Sequence, residues 1–386
     1  MPVLFLIVFV DILGFGLLLP LLPFYVQRMG AGPEVITAVL GLYSLAQVIA
    51  APLWGRLSDR YGRKPILAIT CVGLGLSYVV LAFADSLALV IASRIVGGLM
   101  AGNIAAAQAY VADVTAPETR AKGMGILGAA FGLGFIVGPS VGGLLAGVSV
   151  EGADYRAPAL AAMTLSFIAA AGAMLFLKES LPAEARTHME RRASFGEKLR
   201  AARRRRTLLM LVVTGFLIIT AWAQFETVFA LWVHEAFGFG PREIGFVFGF
   251  MGAVNVAVQG ALMGALTRRF GEKRLVLAAG VLFISGYLAV AVSATLPMLI
   301  LSCAALALAS ALFNPSVTSL VSQEAARGER GAVMGAYQSA TALGRVAGPS
   351  VSGTLFAAGM TLPYLTAAAL AGFGLALFAF SRKRAE

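Results

Sequence analysis

The stretch Gly55-Arg56-Leu57-Ser58-Asp59-Arg60-Tyr61-Gly62-Arg63-Lys64-Pro65 sets four basic residues and one acid between two long apolar runs. It returns in altered form 209 residues later as Gly264-Ala265-Leu266-Thr267-Arg268-Arg269-Phe270-Gly271-Glu272-Lys273-Arg274. A charged turn repeated at matching points predicts an internal duplication, and it marks the side of a membrane that each turn faces.

Around these turns the chain is 59% hydrophobic and 13% charged, with a mean hydropathy of +0.86. Soluble domains carry about 25% charge. Length alone would suggest two or three soluble domains; the composition replaces that reading with a polytopic membrane protein. The net charge of +11 is then a topology signal rather than a sign of nucleic acid, because the basic residues flank apolar segments. Cys71 and Cys303 both sit inside apolar runs, so no disulfide framework is expected. No cleavable signal peptide is expected either: the first apolar run begins at once, without a basic leader.

A membrane-spanning helix needs roughly 20 apolar residues. Twelve such spans are expected at about 3–26, 34–54, 65–84, 87–112, 122–147, 157–177, 208–231, 243–264, 275–293, 296–320, 331–356 and 361–381. With the N-terminus inside, 25 of the 30 Lys and Arg fall in inner segments, and Arg28, Arg156 and Arg242 alone lie outside. That asymmetry puts both termini in the cytoplasm; the expected location is a plasma membrane, the inner membrane in a bacterium. The domains read as residues 1–178, a six-helix bundle; 179–207, a basic cytoplasmic linker; and 208–386, a second six-helix bundle. The linker run Arg203-Arg204-Arg205-Arg206 reads as a stop signal before span 7, and Ser194–Arg206 as a short surface helix. Gly138-Pro139-Ser140-Val141 recurs 210 residues later as Gly348-Pro349-Ser350-Val351. Two like-oriented halves are parallel repeats about an axis along the membrane normal.

These residues carry a resemblance. Gly55 to Lys64 resembles the signature turn of the major facilitator superfamily, and Arg94-Ile95-Val96-Gly97-Gly98 its span 4 motif. Gly128 to Gly143, with Gly132, Gly134, Gly138 and Pro139, resembles the span 5 motif of drug–proton antiporters. Asp11 with Gly14, Gly16, Pro20 and Pro23, and Ala112-Asp113-Val114-Thr115, are similar to the tetracycline exporters. The chain departs from those exporters where Ser77, Asn255 and Phe283 stand in place of ionisable residues. Glu226 and Arg345 are more like the tetracycline-transporter-like (Tetran) branch, whose members are associated with organic anions. The resemblance implies an all-α major facilitator fold and a proton-coupled exporter of drugs or other amphiphilic molecules. The alternative is a proton-coupled organic anion or metabolite symporter. The proton gradient is the energy source, with no cofactor. The partners are a small-molecule substrate, protons and the bilayer, with no nucleic acid, and the protein is expected to be a monomer.

Ionisable groups inside a span cost about 2.5–3.5 kcal/mol each on insertion scales. Four are expected there: Asp11, Arg94, Glu226 and Arg345. Asp11 is the candidate proton carrier, with Arg94 favouring its ionised form, and a static neutralising pair is the other reading. Arg345 is the candidate positive element of a substrate cavity, with Glu226 as a second proton or cation site, or the two as a structural pair. Asn103, Gln108, Asn255, Gln259, Asn314 and Gln338 are candidate cavity polars, and Tyr110 and Phe225 candidate apolar walls. Gly55, Asp59, Arg60, Gly62, Arg63 and Asp113 form a candidate conformational gate. By the same resemblance Asp59 faces the N-terminus of span 11 and Arg63 bridges to Asp113 when the halves meet on the cytoplasmic side. Gly138, Pro139, Gly348 and Pro349 are candidate kink positions that pack against the opposite half.

Gly123-Met124-Gly125-Ile126-Leu127-Gly128 matches a dinucleotide-binding pattern, but no strand precedes it. The chain has no P-loop or HExxH, which argues against an ATP-driven pump or a zinc hydrolase; Gly138-Pro139-Ser140-Val141-Gly142 fits GxSxG by letter but falls inside an expected membrane span rather than at a strand-to-helix turn. His188 and His234 lack the company of a metal site, so none is expected.

Overall fold

The computed structural model describes residues 2–116, 120–181, 206–324 and 330–382, and they form helices with no strand among them. The linker from 182 to 205, with the expected surface helix and the arginine run up to Arg205, lies outside the described residues, as does the tail from 383.

Span 1 is broken into α1 (Pro2–Leu18) and α2 (Leu22–Gln27). Pro20 has no N–H to donate and Pro23 stands in the first turn of α2, so the helix restarts between them. Span 2 is α3 (Pro33–Tyr61) and span 3 is α4 (Arg63–Ala82). Span 4 is α5 (Leu87–Met100), a 3₁₀ turn (Ala101–Asn103) and α6 (Ile104–Val114). Spans 5 and 6 are α7 (Arg120–Ala146) and α8 (Arg156–Phe176), and span 7 is α9 (Arg206–Phe237). Spans 8 and 9 comprise α10 (Pro241–Ala257), a π-helical turn (Val258–Leu262) and α11 (Met263–Ala291). A break at Gly271 separates them. Spans 10 to 12 are α12 (Leu296–Glu324), α13 (Arg330–Ala358) and α14 (Leu362–Arg382).

Among the described residues nine helical segments are long and apolar enough to cross a membrane. Three further crossings bring the number to twelve. The broken α1 falls short of the length criterion, spans 8 and 9 run together as one segment, and α13 is less apolar.

The charged turn is shorter than expected. Gly55 to Tyr61 continue α3 as helix, and the reversal is made at Gly62, whose φ of 106° suits glycine alone. Gly271, its repeat partner, has φ 73° and does the same between spans 8 and 9.

The chain divides into two compact units, Met1–Glu190 with Val233–Gly252, and Arg191–Trp232 with Ala253–Glu386. In the first, Leu4, Ile7, Leu67, Cys71, Val111 and a series of alanines (Ala106, Ala130, Ala169, Ala173) form the core. Small side chains let membrane helices approach closely. Large apolar groups also face outward, such as Leu175 at 74% and Leu301 at 72% exposure, as a lipid-facing surface requires.

Candidate functional site

At the basic end of the first unit, the Gly62 turn aims Arg63 back beneath α3. Its side chain is 8% exposed, and its Nε donates to Asp113 Oδ2 at 3.1 Å. One terminal nitrogen donates to Ser58 Oγ at 2.7 Å and pairs with Asp59. Ser180 Oγ donates to Asp113 at 3.0 Å. Glu179 accepts the Arg63 N–H at 2.8 Å and the Lys64 N–H at 3.3 Å, capping the otherwise orphaned first turn of α4. Gly55 is buried, and Arg60 lies over the exposed Tyr61 ring. All these groups belong to the first unit, so the Arg63–Asp113 bridge forms inside it. Tyr110, read as a cavity wall, is 6% exposed and donates its hydroxyl to the Lys178 carbonyl at 2.9 Å. It fastens span 4 to the segment after span 6.

Deeper in the same unit, Arg94 is 2% exposed. One terminal nitrogen donates to Ser93 Oγ at 3.2 Å, its Nε is buried without a partner, and its guanidinium lies over the rings of Tyr43 and Tyr78. Tyr78 Oη is likewise buried and unpartnered. Asp11 is half-buried on α1 and lies within electrostatic reach of both phenols, as does Arg94. Both phenols thus lie in the field of the acid and of the base. Gln108 is exposed, and the Asn103 side chain lies outside the described residues.

The Gly138-Pro139 segment does not stand against the opposite half at every position. A Cβ on Gly138 would lie 2.8 Å from Gly16 Cα, and one on Gly142 2.1 Å from the Leu17 carbonyl oxygen, both on α1. Gly348 repeats this within the second unit, where a Cβ would lie 2.8 Å from the Thr220 carbonyl oxygen of α9. The other face of α7 does meet a second-half segment: a Cβ on Gly245 would fall 2.3 Å from the Pro139 carbonyl oxygen. Pro139 and Pro349 both lie inside uninterrupted helices.

In the second unit Glu226, 12% exposed, stands 4.0 Å from Arg345, which is 46% exposed, and Trp222 borders the carboxylate. The depth difference read from the sequence is thus spanned by the arginine side chain. Phe225 is 0% exposed, packed at tilted or edge-to-face angles against Trp222, Phe229, Tyr287 and Tyr364. It is core rather than cavity wall. Gln338 is exposed. Asn255 donates to Ser310 Oγ at 3.4 Å and accepts from Gln259 at 2.8 Å, while Asn314 donates to Ser310 Oγ at 3.3 Å.

Several groups escaped the sequence reading. Tyr43 and Tyr78 are aromatics in apolar runs, with nothing local to mark them. Glu272 could have been found, because it is the repeat partner of Arg63 with the charge reversed. It accepts from Ser319 Oγ and Gln323 Nε2, both at 3.1 Å. Hydrogen bonding, first from its own backbone N–H and then from those side chains, holds its carboxyl below the usual range. Among the described residues no cluster of His, Cys, Asp and Glu could hold a metal ion.

The sequence profile of the Major Facilitator Superfamily matches residues 4–263 and 227–386. Multidrug resistance protein 2 of Bacillus subtilis is 31% identical over 378 residues, covering 96% of this chain and 92% of the relative. Tetracycline resistance protein, class G, of Vibrio anguillarum is 32% identical over 350 residues, covering 89% and 87%. The crystal structure of the human organic anion transporter MFSD10 (TETRAN) aligns with a TM-score of 0.74 at 28% identity over 98% of each chain.

Proposed function

The chain belongs to the major facilitator superfamily, and on that premise we propose that it is a proton-coupled exporter of drug-like amphiphilic molecules, working by alternating access across a plasma membrane. The observation that carries the reading is Arg94. A guanidinium buried to 2% exposure, with an unpartnered Nε, costs more than its single hydrogen bond returns. Its retention in an apolar helix points to work rather than packing.

In this reading Asp11 takes a proton on one side and releases it on the other. Arg94, the buried cation of the same unit, is the group that drives this release. Proton release and substrate binding then compete for one conformational equilibrium, which the proton gradient biases. The positive end of each unit is cytoplasmic by charge asymmetry. The drug-resistance relatives support export. The alternative, a proton-coupled organic anion or metabolite symporter, is supported by the accessible Arg345 beside Glu226 and by the organic anion transporter among the neighbours.

The test uses purified protein in liposomes with a trapped pH dye, an imposed proton gradient, and a panel of lipophilic cations, tetracyclines and organic anions. Proton efflux that needs a substrate and is lost in Asp11→Asn is the expected result. Equal proton movement in Asp11→Asn and wild type would refute the role given to Asp11. Proton flux running with an organic anion rather than against it would establish the symporter.

A further inference from the structure

The two charged turns are 209 residues apart, but the helices that lead into them begin 208 residues apart, at Pro33 and Pro241. Each follows a glycine, and each helix ends at a glycine of positive φ. Span 8 is therefore one residue longer than span 2. Residues match at the shorter offset early in the helix: Ile36 with Ile244, Val39 with Val247, Gly41 with Gly249, Val48 with Val256. They match at the longer one later: Gly55 with Gly264, Leu57 with Leu266, Arg60 with Arg269, Gly62 with Gly271. The extra residue lies between 257 and 263, and the π turn occupies 258–262. A π turn is how an α-helix absorbs one added residue with its ends held in place, and such turns recur at functional sites.

We propose that this one-residue insertion builds a neutral hydrogen-bonding subsite for substrate, from Gln259, Asn255, Asn314 and Ser310. The proposal rests on the transporter reading above and specifies one part of its substrate recognition. In the first half the position of Asn255 is held by Gln47, which donates to the Ala101 carbonyl at 3.1 Å and is satisfied by backbone. The position of Gln259 is held there by Ala51. The second half has replaced that arrangement with four side chains that bond mainly to one another. Ser310 Oγ accepts from both asparagines, and Gln259 Nε2 donates to Asn255. The side-chain oxygen of Gln259, its second amide N–H and the side-chain oxygen of Asn314 remain to serve a ligand. Gln259 and Gly260 are exposed midway along an apolar segment. A carboxamide turned toward lipid would be costly, so this face lines a water-filled space. The cluster contains no ionisable group. It therefore reads neutral groups that both donate and accept, such as a carboxamide or hydroxyl, whereas the Glu226–Arg345 pair reads charge.

The experiment compares wild type, Gln259→Leu and a deletion of Gly260 in liposomes. Each is offered paired substrates that carry a carboxamide or the corresponding methyl ester. Gln259→Leu keeps the π turn and removes the amide; the deletion removes the extra residue and keeps both helix ends in register. Gln259→Leu should raise KM for the carboxamide roughly five- to tenfold and leave the ester within about twofold. The deletion should abolish the preference while Cys303 stays protected from thiol reagents, as it must if the unit is folded. If the deletion unfolds the unit, Gln259→Leu alone decides. Wild type without a preference, or variants that keep it, would overturn the proposal. A wild type that transports none of the compounds would instead refute the transporter reading, and binding of the carboxamide by titration would then decide the subsite separately.

Discussion

Replacing Arg63 by alanine should open the basic end of the first unit and leave the second unit closed. Arg63 is 8% exposed and satisfies Asp113 and Ser58 while neutralising Asp59. Charge-assisted hydrogen bonds contribute about 1.5–3 kcal/mol each, and removing one partner of a buried pair costs about 3–5 kcal/mol. Asp59 and Asp113 are 19% and 23% exposed, so water recovers part of that loss, and about 3 kcal/mol is a fair expectation. That raises the equilibrium for local opening about a hundredfold. The molecule carries its own reporters. Cys71 lies eight residues along α4 from Arg63 and is 3% exposed, while Cys303 is 0% exposed on α12 in the other unit. Single-cysteine variants, made with Cys71→Ala or Cys303→Ala, are labelled with a thiol reagent in detergent micelles. Arg63→Ala should speed Cys71 labelling about a hundredfold and leave Cys303 labelling unchanged. Arg63→Lys should fall between, since a point charge cannot serve the separated acceptors at once. Equal acceleration at both cysteines would mean global unfolding, and no acceleration at Cys71 would mean that the knot holds nothing closed. Either result refutes the reasoning.

Arg94→Met should leave the first unit as stable or raise its thermal midpoint, because an incompletely satisfied buried cation gives way to an apolar chain of similar length. Transport should fall sharply in the same protein, and a lowered midpoint would refute the account. Gly142→Val should destabilise by roughly 3 kcal/mol or more, since even a Cβ would lie 2.1 Å from the Leu17 carbonyl oxygen; unfolding in detergent reads this directly. Glu272 has a lowered pKa in the folded state, so its contribution is fully present above the ordinary Glu value of 4.5 and is lost as pH falls through the lowered value. Glu272→Gln should flatten that acid limb in a pH series of melts, and an unchanged limb would assign the loss to other carboxylates.

The twelve spans, the twofold repeat and the charged turn were legible because each is written in composition or in residues that recur at a fixed offset. The extent of the turn was not. Gly55 to Tyr61 looked like a loop by charge, yet arginine and leucine are good helix formers and the reversal needs only Gly62. Burial was illegible for the same class of reason: Phe225, Tyr110, Tyr43 and Tyr78 all read as apolar, and only packing separates a core ring from a wall or a cation partner. The repeat carries one further lesson. Duplication preserved the geometry of both turns through Gly62 and Gly271 but not their chemistry. At the Arg63 position stands Glu272, and at the Asp113 position, 210 residues on, stands Gln323. The first knot is an ion pair with three acceptors around one guanidinium, whereas the second is a carboxylate held by its own backbone N–H and two neutral side-chain donors. A carboxylate held by neutral dipoles lacks the charge–charge attraction that an Arg–Asp pair adds, so the two turns are fastened by different means at the same place. A transporter built from equal halves would lack that difference; here it follows from one reversed charge in a duplicated turn.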